Sequence, residues 1–245
     1  MNWKKDLREK DDAVSPVIAL MLILAILATC MAVYTTTYVP GLKQQDEITH
    51  NGEVKLAFER FASDIDNVIA QGKPAVYTEV LELGGGDVPL SPTKSSGTVE
   101  INTTVIGNYT IGSETKNLNV IEISYLPSFT AWEKQGYLYK NGVVWITKDE
   151  KITPAQLTVY EVKDGEDREK EILAKWYPAS PTEGIVIPNF SVVEGKSEIT
   201  GTSAVKLRLN ATLGDDLSSV IVTLNDGTSR IYTNARMLNI EVSVE

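Results

Sequence analysis

Only one cysteine and one histidine stand among the 245 residues. With Cys30 alone there is no intrachain disulfide and no multi-cysteine zinc site, so the fold must hold itself by packing. His50 alone disfavours a histidine-based triad or a histidine-rich metal site, and no Gly-x-Ser-x-Gly elbow occurs. Positive charge is scarce as well: 23 Lys and Arg face 33 Asp and Glu, a formal net charge of -10. Nucleic-acid phosphate as a partner needs clustered Lys and Arg, and that class of function is set aside. What is abundant is hydrophobic sequence, 42% of the chain, enough to bury a core in one domain or two small ones.

The longest apolar run is VIALMLILAILATCMAV, Val17 to Val33. With its flanks, the stretch 14–39 as a helix approaches 40 Å, against roughly 30 Å of hydrocarbon, so a transmembrane helix is expected. Lys4, Lys5, Arg8 and Lys10 precede the run, and Lys43 is the only basic residue soon after it. Basic residues stay cytoplasmic, which puts the N-terminus inside and the rest outside, in a single pass through the cell membrane. No small-residue cleavage site follows the run, so the helix is expected to be retained. Val17, Ile18, Leu20, Leu22, Leu24, Ile26 and Leu27 would face lipid or a neighbouring helix. Leu27-Ala28-Thr29-Cys30 faintly suggests a lipobox, yet the apolar run continues past the cysteine.

Asp11-Asp12-Ala13-Val14-Ser15-Pro16-Val17-Ile18, joined directly to this apolar helix, resembles the start of archaeal type IV pilin-like proteins, which carry a class III signal peptide. The resemblance implies cleavage between Ala13 and Val14, with residues 1–13 as a cytoplasmic leader, by a prepilin peptidase-like enzyme. It also implies other pilin-like subunits as partners beside membrane lipid. Two residues depart from the pattern: Asp12, where many relatives carry a basic residue, and Ala19, where a glycine often follows the isoleucine. The leader holds four basic and four acidic groups, so the acidic excess lies wholly in the remainder. A plain uncleaved signal anchor is the alternative. A second resemblance, over VPGLKQQDE, LELGGGDVPLSPTKSSGTVEI and IEISYLPSFTAWEKQGYLYKNGVVWI, is to an uncharacterised family of archaeal membrane-anchored proteins with pilin-like N-termini. It implies anchoring and adds no chemistry.

Pro40-Gly41 predicts a kink or break just beyond the membrane. Over residues 40–73 a stalk helix follows, with Val54, Phe58, Phe61, Ile65 and Val68 at alternating spacings of four and three among charged residues. That seam spans barely two heptads, which favours packing on the chain's own exported domain over a coiled coil. Gln71-Gly72-Lys73-Pro74 ends the helix.

Residues 74–245 read as short β-favouring runs between turns: VYTEVLEL, TVEINTTVI, NVIEISY, LTVYEV, GIVIPNFSVV, AVKLRLNATL, SVIVTL and MLNIEVSV. Asn141-Gly142 predicts a two-residue hairpin turn, and Leu224 to Thr228 a second. Outside Asp164 to Lys175 no helical period recurs. The expected fold is α+β, with an apolar helix and an amphipathic stalk helix followed by a mostly antiparallel, β-sandwich-like extracytoplasmic domain.

Little in that domain points to chemistry. Gly84-Gly85-Gly86 lacks the Lys-Ser or Lys-Thr of a phosphate-binding loop and reads as a turn. The acidic stretches at 164–167 and Asp215-Asp216 lack the ligand ladder of an EF-hand and read as solvated turns. Carboxylate dyads are invisible in sequence, and solvated surface is the simpler reading. Trp132, Tyr137, Tyr139, Trp145, Trp176 and Tyr177 either line a ligand surface, for instance for a glycan, or pack in strands. Asn102, Asn108, Asn189 and Asn210 open Asn-x-Ser/Thr sequons, candidate N-glycosylation sites on the exported side. No catalytic residue, cofactor, metal or nucleic-acid partner is expected: the sequence describes a surface protein, pilin-like or permanently anchored.

Overall fold

A computed structural model describes residues 6–85, 88–89, 91, 93–149, 151–155, 165–179 and 184–245. The chain is helical without a break from Asp6 to Gln71, as α1 (Asp6–Val33), a π-helical turn (Tyr34–Tyr38) and α2 (Val39–Gln71). One helix is thus long and apolar enough to cross a membrane, and none of its apolar stretch is buried. Thr29, Thr35 and Thr36 turn their hydroxyls back onto carbonyls one turn earlier, so these polar groups are satisfied inside the apolar segment.

The expected break at Pro40-Gly41 is not there. Proline lacks the N–H that would bond the carbonyl four residues back, and its ring crowds that carbonyl. The chain absorbs this one turn earlier by widening: the Val39 N–H donates five residues back to Tyr34, and Pro40 falls in the first turn of α2, where its missing donor costs little. Gly72 in the left-handed conformation closes α2, its N–H on the Val68 carbonyl.

The rest is a mostly antiparallel sheet of ten strands. These are β1 (Ala75–Glu82), β2 (Ser96–Ile111), β3 (Glu114–Ser128), β4 (Gln135–Lys140), β5 (Val143–Lys148), β6 (Lys151–Pro154), β7 (Val186–Val192), β8 (Glu198–Gly201), β9 (Ala204–Leu224) and β10 (Ser229–Val244). The order is β6-β5-β4-β3-β2-β9-β10-β7; β1 adds to the first half of β9 and β8 to the start of β2. Among the described residues only β7 and β10 run parallel. The sheet curls until β7 lies near β3, where the Asn119 N–H donates to the Asn189 side-chain oxygen at 2.9 Å. The two-faced, sandwich-like packing is therefore made by one sheet folding back on itself.

Into that fold goes the apolar seam of α2: Val54, Phe58, Phe61, Ile65 and Val68 are each at most 2% exposed and belong to a single core with both ends of the sheet. At roughly 1.5–3 kcal/mol per large apolar side chain, the seam contributes on the order of 10 kcal/mol, an upper estimate. The stalk is thus the central element of the domain core, packed mainly on β1, β4 and β5.

The Asn141-Gly142 hairpin joins β4 to β5 with both turn residues at positive φ, and a β-carbon at Gly142 would also collide with Ile172. The turn at Leu224 to Thr228 joins β9 to β10, with Asp226 accepting from the Thr228 N–H. Two runs expected as separate strands, AVKLRLNATL and SVIVTL, form one strand, β9. Gly214, Asp215 and Asp216 lie inside it and Asp216 pairs with Arg236 across to β10, so the acidic turn expected there is corrected to mid-strand. LTVYEV lies outside the described residues, and the later helical period is α3 (Gly165–Trp176).

Candidate functional site

The buried face of α2 does not stop at Val54. Over the next three turns toward the apolar helix it continues as Asn51, His50, Glu47 and Lys43, every one of them at most 4% exposed. A polar group withdrawn from water needs partners, and each of these four side chains has at least one, the Asn51 side-chain oxygen alone being left without. The Lys43 ammonium donates to the Thr93 carbonyl at 2.6 Å and to its hydroxyl at 2.7 Å. Glu47 accepts from the backbone N–H groups of Thr130 and Ala131, at 3.0 and 2.9 Å, and from the Ser95 hydroxyl. Burial alone would raise this carboxyl, but the hydrogen bonds from Ser95 and from the Thr130, Ala131 and Trp132 backbone outweigh it and hold the group below its ordinary value.

One turn on, Tyr125 donates its hydroxyl proton to the Leu83 carbonyl at 3.2 Å, which leaves its oxygen to accept from His50 Nε2 at 3.1 Å. This assigns the Nε2-protonated tautomer. Phe129 packs edge-on to the same imidazole. Burial lowers the pKa of His50, opposed by the carboxylates of Glu82, Glu53, Asp46 and Glu47. Asn51 donates to the Tyr137 hydroxyl at 2.9 Å, which also accepts from Gln135. Lys43 and Glu47 thus clamp two loops at one end of the sheet onto the helix, and His50 and Asn51 hold the adjoining strands through Tyr125 on β3 and Tyr137 on β4.

Beside the clamp lies a cleft of about 250 Å³, walled by Asp46, His50, Glu53, Glu82, Lys94 and Thr202. Gly85 closes over His50, and a β-carbon there would stand 2.9 Å from the histidine's own. Although acidic, the cleft is not arranged as a metal centre: among the described residues no group of three or more His, Cys, Asp or Glu is placed to hold a metal ion.

The other sequence candidates scatter. Val17, Ile18, Leu20, Leu22, Leu24, Ile26 and Leu27 are all more than half exposed on α1, and Ala13 and Val14 lie within the same helix. The six aromatics do not form one ligand surface: Tyr137, Tyr139, Trp176 and Tyr177 are core, Trp145 is buried beneath α3, and Trp132 sits on the loop held by Glu47. Asn102 and Asn108 are exposed on β2, Asn210 is half-buried, and Asn189 is engaged by Asn119. The polar clamp was not legible as a site. Its signal was the spacing of positions 43, 47, 50, 51 and 54, which continues the apolar seam with polar residues.

No family model, curated protein or solved structure matches this chain.

Proposed function

We propose that this chain is an archaeal pilin-like cell-surface protein, held in the cell membrane by its N-terminal helix with the β domain outside and able to assemble into a type IV-like filament. The observation that carries the reading is a single unbroken helix whose stretch from Val17 to Val33 exposes apolar side chains on every face, Thr29 apart, and whose later half packs into the core of a β domain. A soluble protein rarely leaves so large an apolar surface uncovered. In a membrane lipid covers it; in a filament the same helices of neighbouring subunits replace lipid by close packing. The Ala13-Val14-Ser15-Pro16-Val17-Ile18 string supports leader removal by a prepilin peptidase-like enzyme. The proposal gives the chain no catalytic role and no cofactor.

Intact-mass measurement of the native protein in sheared surface fractions and in membranes tests this. A sheared, filamentous species beginning at Val14 is the expected result. A processed chain confined to membranes refutes assembly in favour of a permanent anchor, and a chain with its leader intact refutes the pilin-like reading altogether.

A further inference from the structure

We infer that the β domain stands directly on the outer lipid headgroup layer, with the clamped loops at the α1 end as its membrane-contacting surface. The inference rests on the anchoring reading above and adds where the domain sits. The apolar run Val17 to Val33 rises about 26 Å, short of the roughly 30 Å of hydrocarbon, so the outer boundary falls within the following turn. That turn holds Tyr34 and Tyr38, stacked at 5.9 Å and suited to the interface. The domain takes hold at once: Val39 is already 4% exposed. Five residues of helix separate it from Tyr34, about 7 Å, no more than the headgroup layer itself, about 5–8 Å on each side.

The clamp brings the loops down to the same level. Side chains on a helix lean toward its N-terminal end, here toward the membrane. Lys43, one turn after Val39, holds Thr93 by two hydrogen bonds, and Glu47, one turn further on, holds the loop at Thr130 and Ala131, so both loops are tied to the first turns of α2 by side chains of that lean. This end of the domain carries amphipathic and apolar surface suited to an interface: exposed Leu42 and Leu126 and half-buried Trp132, together with exposed Lys94 and Lys134 and the carboxylates of Asp46 and Glu133. The opposite end, with the turns at Gly112 and Gly227, lies past the C-terminus of α2, because β1 runs back along α2 and β9 climbs beyond it.

The full chain in lipid nanodiscs provides the test. In a Cys30→Ser background, an environment-sensitive fluorophore is placed at Thr93→Cys, at Pro89→Cys on the same loop in case the loss of the Thr93 hydroxyl disturbs the clamp, at Asp226→Cys on the far turn and at Ile23→Cys in the helix. Headgroup nitroxides should remove about half or more of the emission at positions 93 and 89 and almost none at 226, while acyl-chain nitroxides quench position 23. Positions 93 and 89 as bright as 226, with 23 quenched, would show an anchored domain standing clear of the lipid and overturn the inference alone. An unquenched position 23 would overturn the anchoring reading and this inference with it.

Discussion

The two halves of the long helix share one backbone and meet opposite surroundings. From Val17 to Val33 the side chains are apolar on every face and exposed; from Val39 to Gln71 one face is buried and the other charged. The difference teaches that helix formation and burial are separate decisions. The first half forms because an apolar helix satisfies its backbone internally wherever it lies. The second half is held by one narrow seam inside a sheet, and the widened turn between them lets Pro40 pass without a break.

Breaking the seam should give the largest effect. Phe61→Ala removes a ring that is 1% exposed and is expected to cost about 3–5 kcal/mol in chemical unfolding of the detergent-solubilised chain. Leu24→Ala, at an exposed position of α1, should change the same transition by no more than about 0.5 kcal/mol. Equal costs would erase the contrast between the halves.

The clamp comes next. Glu47→Ala leaves the Thr130 and Ala131 N–H groups without their acceptor and should cost about 2–3 kcal/mol in the same unfolding measurement. Because the folded carboxyl titrates below its ordinary value of 4.5, its contribution is full above that pH and is lost as pH falls through the lower folded value. Glu47→Gln should flatten that acid limb of a stability-against-pH curve.

How much of this was legible follows from what periodicity can carry. The seam from Val54 to Val68 was readable because apolar residues at spacings of four and three have one common explanation, and Asn141-Gly142 was readable because few turns accept two positive φ angles. Lys43, Glu47 and Asn51 continue the same face, but polar residues on a helix ordinarily mark the solvent side, and their partners lie 48 to 86 residues away, in loops and a strand that no local pattern connects to them. The length of β9 was hidden for a related reason: Gly214-Asp215-Asp216 has turn composition, and only the pairing of Asp216 with Arg236 on β10 makes it strand.

A subtler effect belongs to the clamp's imidazole. His50 is the only histidine, so its titration is free of overlap. Burial holds its folded value below the ordinary 6.5, so protonation favours the unfolded chain: stability is full above 6.5 and declines as pH falls below it toward the folded value. Thermal unfolding between pH 7.5 and 5 should show that decline, and His50→Gln should remove it. The smallest effect concerns the sequons: glycopeptide mass spectrometry of the native protein should find any glycan on exposed Asn102 or Asn108 and none on Asn189, whose side chain caps the closure between β3 and β7.

Hydrogen exchange of the full chain in lipid nanodiscs measures the contrast between the halves most directly. Amides from Val17 to Val33 should be protected by lipid alone and lose that protection when lipid is exchanged for a short-chain detergent, while amides from Val54 to Val68 stay protected in both. Exchange of the first half at the rate of a water-exposed helix in the bilayer, or protection of the second half that depends on lipid, would contradict a helix divided between membrane and domain core.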